Sequence, residues 1–200
     1  MATVTIAVEG TSDLAVVRKI LTYVGCTVGI VQGRGGKSQL DRNLAGYNRA
    51  AQSAPWFVLR DLDHDAPCAS ALRDELLPVA AASEWMRFRI AVREVESWIL
   101  ADAGAVAKFL RIKRNLIPDD PDDLDDPKLT LIDLARRSPN ESIKADMVQA
   151  VGSMASEGPA YVSRVNELVT NFWNPHVARG RSDSLYRCIE SLNSLAAFEE

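Results

Sequence analysis

Histidine and cysteine are scarce in this 200-residue chain, which has two histidines (His64, His176) and three widely separated cysteines (Cys26, Cys68, Cys188). With no Cys-x-x-Cys pair, a cysteine/histidine zinc site lacks ligands and a disulfide framework lacks partners. The expected compartment is the reducing cytoplasm. Basic charge is not in excess either: 23 Lys and Arg stand against 27 Asp and Glu, a net charge of -4. Such a chain has no field of its own with which to coat nucleic acid, but it is compatible with an enzyme whose metal ions supply the positive charge. Long apolar runs are missing too. The longest uncharged stretch, residues 20–33, is broken by glycines and too short to cross a bilayer. The N-terminal MATVTIAVEG has no basic region ahead of an apolar core and does not read as a signal peptide. A soluble cytoplasmic protein with no membrane partner is therefore expected.

What is present is an ordinary globular composition, 47% hydrophobic and 25% charged, at a length that fits one domain or one domain with an extension. Short β-branched or aromatic runs at residues 3–8, 27–31, 56–59 and 88–92 predict strands. Between them, Leu14, Val17, Ile20, Leu21 and Val24 share one helical face, and Leu40, Leu44 and Tyr47 mark another helix. Pro67 is placed to open a third, running to about residue 77. This βαβαβαβ order predicts an α/β fold, a mostly parallel four-stranded sheet flanked by helices. After Trp98 the strand patterns stop. Helices are predicted to residue 110 and, beyond an acidic loop at 118–127, over 128–137, 141–154, 159–173 and 182–196. The expected organisation is an α/β domain over 1–103 with a helical C-terminal region, 104–200, packed on it.

Carboxylates gather where the predicted strands end. Glu9 follows the first strand, Asp61-Leu62-Asp63 the third, with Asp65 two residues on, and Glu94 and Glu96 the fourth. In open parallel sheets the carboxyl ends of strands form the ligand-binding edge. Alternation along an extended segment would point Asp61, Asp63 and Asp65 to one side. Clustered acids raise one another's pKa unless a cation neutralises them, and hard oxygen donors in this number suit Mg2+ or Mn2+. The bland alternative is that Ser12 or Asp13 caps the first helix and Asp65 the helix at Pro67.

Glu9-Gly10-Thr11-Ser12-Asp13 and Asp61-Leu62-Asp63 resemble the two hallmark motifs of Toprim domains, found in topoisomerases, bacterial primases, small ribonucleases and the OLD (overcoming lysogenization defect) nucleases. Arg93-Glu94-Val95-Glu96-Ser97-Trp98-Ile99-Leu100-Ala101-Asp102 resembles the REIEAWLLAD stretch of a bacterial Toprim-like family of unknown function. Asp126-Pro127-Lys128 and Ser182-Asp183-Ser184-Leu185 look like that family's helical half. The resemblance implies a Toprim-like fold and a two-metal site for phosphodiester hydrolysis in DNA or RNA. In it Glu9 and Asp13 would be the first acid and its partner one turn later, Asp61 and Asp63 the paired aspartates, and Glu94 or Glu96 the acid from the next strand. Glu9, Asp61, Asp63 and Glu96 would carry catalysis. The late lysine of OLD nucleases has no obvious counterpart, and Arg179 or Arg181 is the substitute the sequence offers. OLD nucleases act beside an ATPase domain, so a separate ATPase or defence partner is implied, in phage defence or DNA repair. A non-catalytic Toprim-fold binding or regulatory module is the alternative. Monomer and homodimer both stay open.

Gly33-Arg34-Gly35-Gly36-Lys37-Ser38 falls short of a P-loop because Val31 stands where its first glycine should be. A glycine loop presenting Arg34 and Lys37 to a phosphate is the better reading of it. The acidic run 119–126 lacks the glycine and terminal glutamate of an EF-hand and reads as a solvated linker. Trp98 reads as core and His64 as a turn residue facing water.

Overall fold

Val4, Ile6, Ala7 and Val8 are all fully buried in the first strand, β1 (Thr3–Val8), the mark of a strand covered on both faces. Helix α1 (Thr11–Tyr23) follows, then β2 (Thr27–Gly33), α2 (Lys37–Ala50), β3 (Trp56–Asp61), α3 (Ala69–Leu76) and β4 (Met86–Ala91). The computed structural model describes residues 2–196, so the last four residues assigned to the helical region lie outside it. The strand order is β2-β1-β3-β4 and every neighbouring pair is parallel. The chain reverses direction across the sheet between β1 and β3, which makes their carboxyl ends the switch point. Glu9 and Asp61 stand there.

Side-chain alternation divides the apolar residues between two cores. Ile6, Phe57 and Leu59 pack towards α1 and the C-terminal helices, whereas Ala7 and Val58 pack with Leu40, Leu44 and Leu72 on the face covered by α2 and α3. The later helices are α4 (Val95–Ala101), α5 (Ala103–Leu110), α6 (Pro127–Arg136), α7 (Glu141–Met147), α8 (Tyr161–Asn171), α9 (Pro175–Ala178) and α10 (Asp183–Ala196). Their apolar faces belong to the same cluster as Val4 and Ile6. One core thus runs from the sheet through both halves of the chain. At its centre the buried Trp98 donates its indole N–H to Ser184 Oγ at 2.6 Å, and Trp173 donates to the Trp98 carbonyl at 3.0 Å. Truncating either ring would cost about 3–5 kcal/mol.

Several boundaries differ from the sequence expectation for identifiable reasons. The helix predicted up to residue 110 is interrupted at Asp102, whose carboxylate accepts from Ala105 N and Asn174 N, each at 3.0 Å. The helix predicted over 141–154 stops at Met147, before Gly152 at φ 84° and the fully exposed Val151 and Met154. Strand β3 runs on to Asp61, and α3 starts at Ala69, two residues beyond Pro67. The short α9 was not predicted; Asn174 caps it and Pro175 opens it.

Candidate metal centre

The first acid is positioned by backbone. After β1, the glycine loop folds back over the strand end: Arg34 N donates to Val8 O at 2.8 Å and Gly36 N to Glu9 O at 3.1 Å. Gly33 is required there, because its φ is +80° and a Cβ would lie 2.4 Å from Val8 O. The Glu9 carboxylate accepts from Asp61 N at 2.8 Å, which ties the ends of β1 and β3 together. Asp13, in the first turn of α1, reaches back to Gly10 N at 2.6 Å and so does cap its helix, while remaining buried beside Glu9.

The expected extended alternation through Asp65 is corrected by the structure. The strand ends at Asp61, Leu62 turns into the α2/α3 core, and Asp63 adopts φ 47°. Arg93, after β4, adopts φ 58°, and the two residues bond twice: Asp63 N donates to Arg93 O at 2.7 Å, and the Arg93 side chain donates from Nη1 to Asp63 O at 2.9 Å. Left-handed non-glycine residues are costly and cluster at functional sites. The turn still gathers the acids. Asp63 meets Lys37 Nζ at 2.8 Å, and Asp65 meets Lys37 at 3.0 Å and Arg60 at 2.6 Å. Arg60, only 3% exposed, also reaches Asp41 at 3.2 Å and Glu9 at 3.5 Å. Asp65 therefore serves an ion-pair network, not a cap of α3.

A second acidic group stands on helices. Glu94 Oε2 accepts from Lys128 N at 2.9 Å, at the start of α6. Glu96 is buried and accepts from the Tyr161 hydroxyl at 3.0 Å. The Lys128 ammonium pairs with Glu157 and lies 5.1 Å from the centre of the Tyr161 ring.

The two groups feel each other. Burial pushes Glu9 up to about 7, with Asp13 and Asp63 adding to the shift, although the Asp61 N–H and Arg60 oppose it. Burial and then Glu94 push Glu96 up to about 7, and Asp13 contributes. Asp61 is held well above the usual carboxylate range: burial comes first, then repulsion from Asp13, Glu96, Glu9 and Asp63. Its Oδ1 is buried with no hydrogen-bond partner. Such an orphaned carboxylate oxygen, in the field of neighbouring acids, fits the donor chemistry of a hard divalent cation. Among the described residues, no three Asp, Glu, His or Cys side chains already converge as a ligand set, so binding would need the carboxylates to turn towards one another.

Of the residues expected to contact phosphate, Lys37 lies at the centre and Arg34 stands exposed on the glycine loop. The proposed substitution of Arg179 or Arg181 for a late lysine is corrected. Arg181 donates to the carbonyls of Ala101, Pro118 and Asp119, and Arg179 pairs with Glu190 at 3.3 Å and lies over Tyr186. On the side of Glu94 and Glu96, a lysine that does stand among the acids is Lys128, in the Asp126-Pro127-Lys128 segment already singled out. Sequence reading missed Arg60 because it is enclosed in a strand run, and missed Tyr161 and Glu157 because nothing local marks them. The acidic run 119–126 is more than a solvated linker: Asp122 accepts from Ser182 Oγ and Ser184 N, and Asp126 caps α6. His64 is exposed, as expected.

No family model matches the chain, and no curated protein matches it. No helix among the described residues is long and apolar enough to cross a membrane. Among solved structures, the chain is similar to the C-terminal region of the Xanthomonas campestris pv. campestris OLD protein, at 16% identity and TM-score 0.40, over 99% of this chain and 95% of that one. It is also similar to the C-terminal region of the Burkholderia pseudomallei OLD protein, at 15% identity and TM-score 0.49, over 98% of each chain.

Proposed function

We propose that the acidic centre binds Mg2+ or Mn2+ and that the protein hydrolyses phosphodiester bonds in DNA or RNA. The observation that carries this reading is Asp61, whose buried Oδ1 has no hydrogen-bond partner and whose charge is opposed by Asp13, Glu96, Glu9 and Asp63. Glu9, Asp13, Asp61 and Asp63 would hold cation on the strand side, and Glu94 and Glu96 on the helix side. Bound divalent cations supply an activated water and charge stabilisation for the leaving oxygen. The chain's own residues do the rest. Arg60 holds Glu9 and Asp65 in place through its fork. Lys128 balances Glu94 and Glu96, and Lys37 and Arg34 lie on the loop where a phosphate could approach.

The non-catalytic alternative is favoured by one observation: Lys37 and Arg60 already neutralise Asp63, Asp65 and Asp41 without a metal. Titration separates the two. The nuclease reading expects Mg2+ or Mn2+ to raise the melting temperature and to support cleavage of single- or double-stranded DNA or RNA, both lost in Asp61→Asn. A metal-induced shift without cleavage of any of these substrates would leave the binding module. Neither shift nor cleavage would overturn the metal centre itself.

A further inference from the structure

Strand β4 closes the sheet at one edge, and alternation sends Phe88 and Ile90 into the α2/α3 core while Arg87 and Arg89 face α10. The two arginines are treated differently. Arg87 is fully engaged: it donates to the carbonyls of Glu84, Met86 and Ser191 and to Ser194 Oγ. Arg89 makes no hydrogen bond or ion pair among the described residues, and its Nε is buried without a partner. The buried thiol of Cys188 is near enough to act on it, but burial pushes that thiol up to about 12, so the neutral sulfur offers no counter-charge. A partly desolvated guanidinium without an acceptor is costly, and an anion is one partner that relieves the cost.

A cavity of about 540 Å³ opens beside Arg89, between the start of α3 and the start of α10. Arg73 and Arg187 also line it, with Ser70 and Ser184. Aspartates line the same space, and Arg73 already pairs with Asp74 at 2.9 Å. Asp183 pairs with Arg187 at 2.7 Å, and both oxygens of Asp122 accept from Ser182 and Ser184; Asp123 stands exposed. Arg89 thus lacks a hydrogen-bond acceptor although Asp183 acts on its charge and Asp122 and Asp123 share the wall, in a space larger than a bare oxyanion needs and bounded on one side by Phe88, Ile90 and Val92. We infer that this cleft binds a phosphate group carried on a nucleotide, free or within a strand, with the half-buried Arg89 as its counter-charge and Arg73 and Arg187 at the rim. Guanidinium forks match phosphate oxygens in pairs. The inference does not rest on the metal centre, which belongs to the ends of β1 and β3 and not to this outer edge.

The test is calorimetric titration and thermal shift of the full chain in EDTA, with inorganic phosphate, AMP and a short 5′-phosphorylated single-stranded oligonucleotide as probes. AMP or the oligonucleotide should bind wild type and raise its melting temperature, more strongly than inorganic phosphate does. Arg89→Met should weaken that binding about tenfold or more, while its unliganded melting temperature stays level or rises. Binding of AMP alone identifies a free nucleotide as the ligand; binding of the oligonucleotide alone identifies a strand. If no probe binds wild type, or Arg89→Met binds as well as wild type, the inference fails. Should Arg89→Met not fold, Arg73→Ala and Arg187→Ala at the exposed rim decide: each should weaken binding, and unchanged affinity in both overturns the site.

Discussion

The two halves of the acidic centre are built on opposite plans. On the strand side, Glu9, Asp61, Asp63 and Asp65 lie within a few residues of strand ends and meet cations, Lys37 and Arg60, that also lie in the first third of the chain. On the helix side, Glu94 and Glu96 depend on Lys128, Glu157 and Tyr161, contributed by α6, α8 and the loop before α8. The strand side is therefore set by sheet topology, and the helix side by packing. Geometry taken from backbone tolerates side-chain replacement, whereas geometry taken from packing does not.

The sharpest way to break this comparison is Asp61→Asn, because Asp61 is the residue both halves act upon. A loss of cleavage of about 100-fold or more is expected, read in a metal-dependent nuclease assay, with the fold retained by circular dichroism. Next in size is the pH dependence of the metal-free protein. Glu9 and Glu96 are raised from 4.5 to about 7 in the folded state, so the folded chain binds their protons more tightly than the unfolded chain. Stability is greatest below the unfolded value and falls as pH rises through the window from 4.5 to about 7. The buried Glu96 accounts for up to about 3 kcal/mol of that fall and the more open Glu9 for less. Denaturant titrations at several pH values should show the slope, and saturating Mg2+ should flatten it. Lys128→Met comes third: it strands Glu94, Glu96 and Glu157 without their cation, at a cost of about 2 kcal/mol, measured by chemical unfolding. Lys37→Met is the smallest. The side chain is 42% exposed, so its loss should change stability by less than about 1 kcal/mol. A larger effect for Lys37 than for Lys128 would invert the distinction between the two halves.

This contrast also explains what could be read from the sequence. The parallel sheet and the strand-end acids were legible because hydrophobic period and strand ends are local properties, and the order β2-β1-β3-β4 puts Glu9 beside Asp61 with no further information. Asp13 was legible twice over, as helix cap and as acid, and it is both. Arg60 was hidden because a charged residue in a strand run looks like an edge position, yet it is 3% exposed. Lys128 was noticed as part of a helix start but not as a cation of the site, because nothing in the chain signals that it meets Glu94, 34 positions earlier. The replacement suggested in its place, Arg179 or Arg181, was drawn from proximity to a motif, and that motif turns out to anchor α10.

The long reach of the Trp98 and Glu96 contacts has a kinetic meaning. Glu96 finds Tyr161 across 65 residues and Trp98 finds Ser184 across 86, and such closures must be made before the contacts reward them. During synthesis from the N-terminus, the sheet and the strand-side acids can assemble while the helices that complete the centre are still unmade. For that interval the nascent chain presents half a site, and the partners of Glu94 and Glu96 arrive only when α6 and α8 dock.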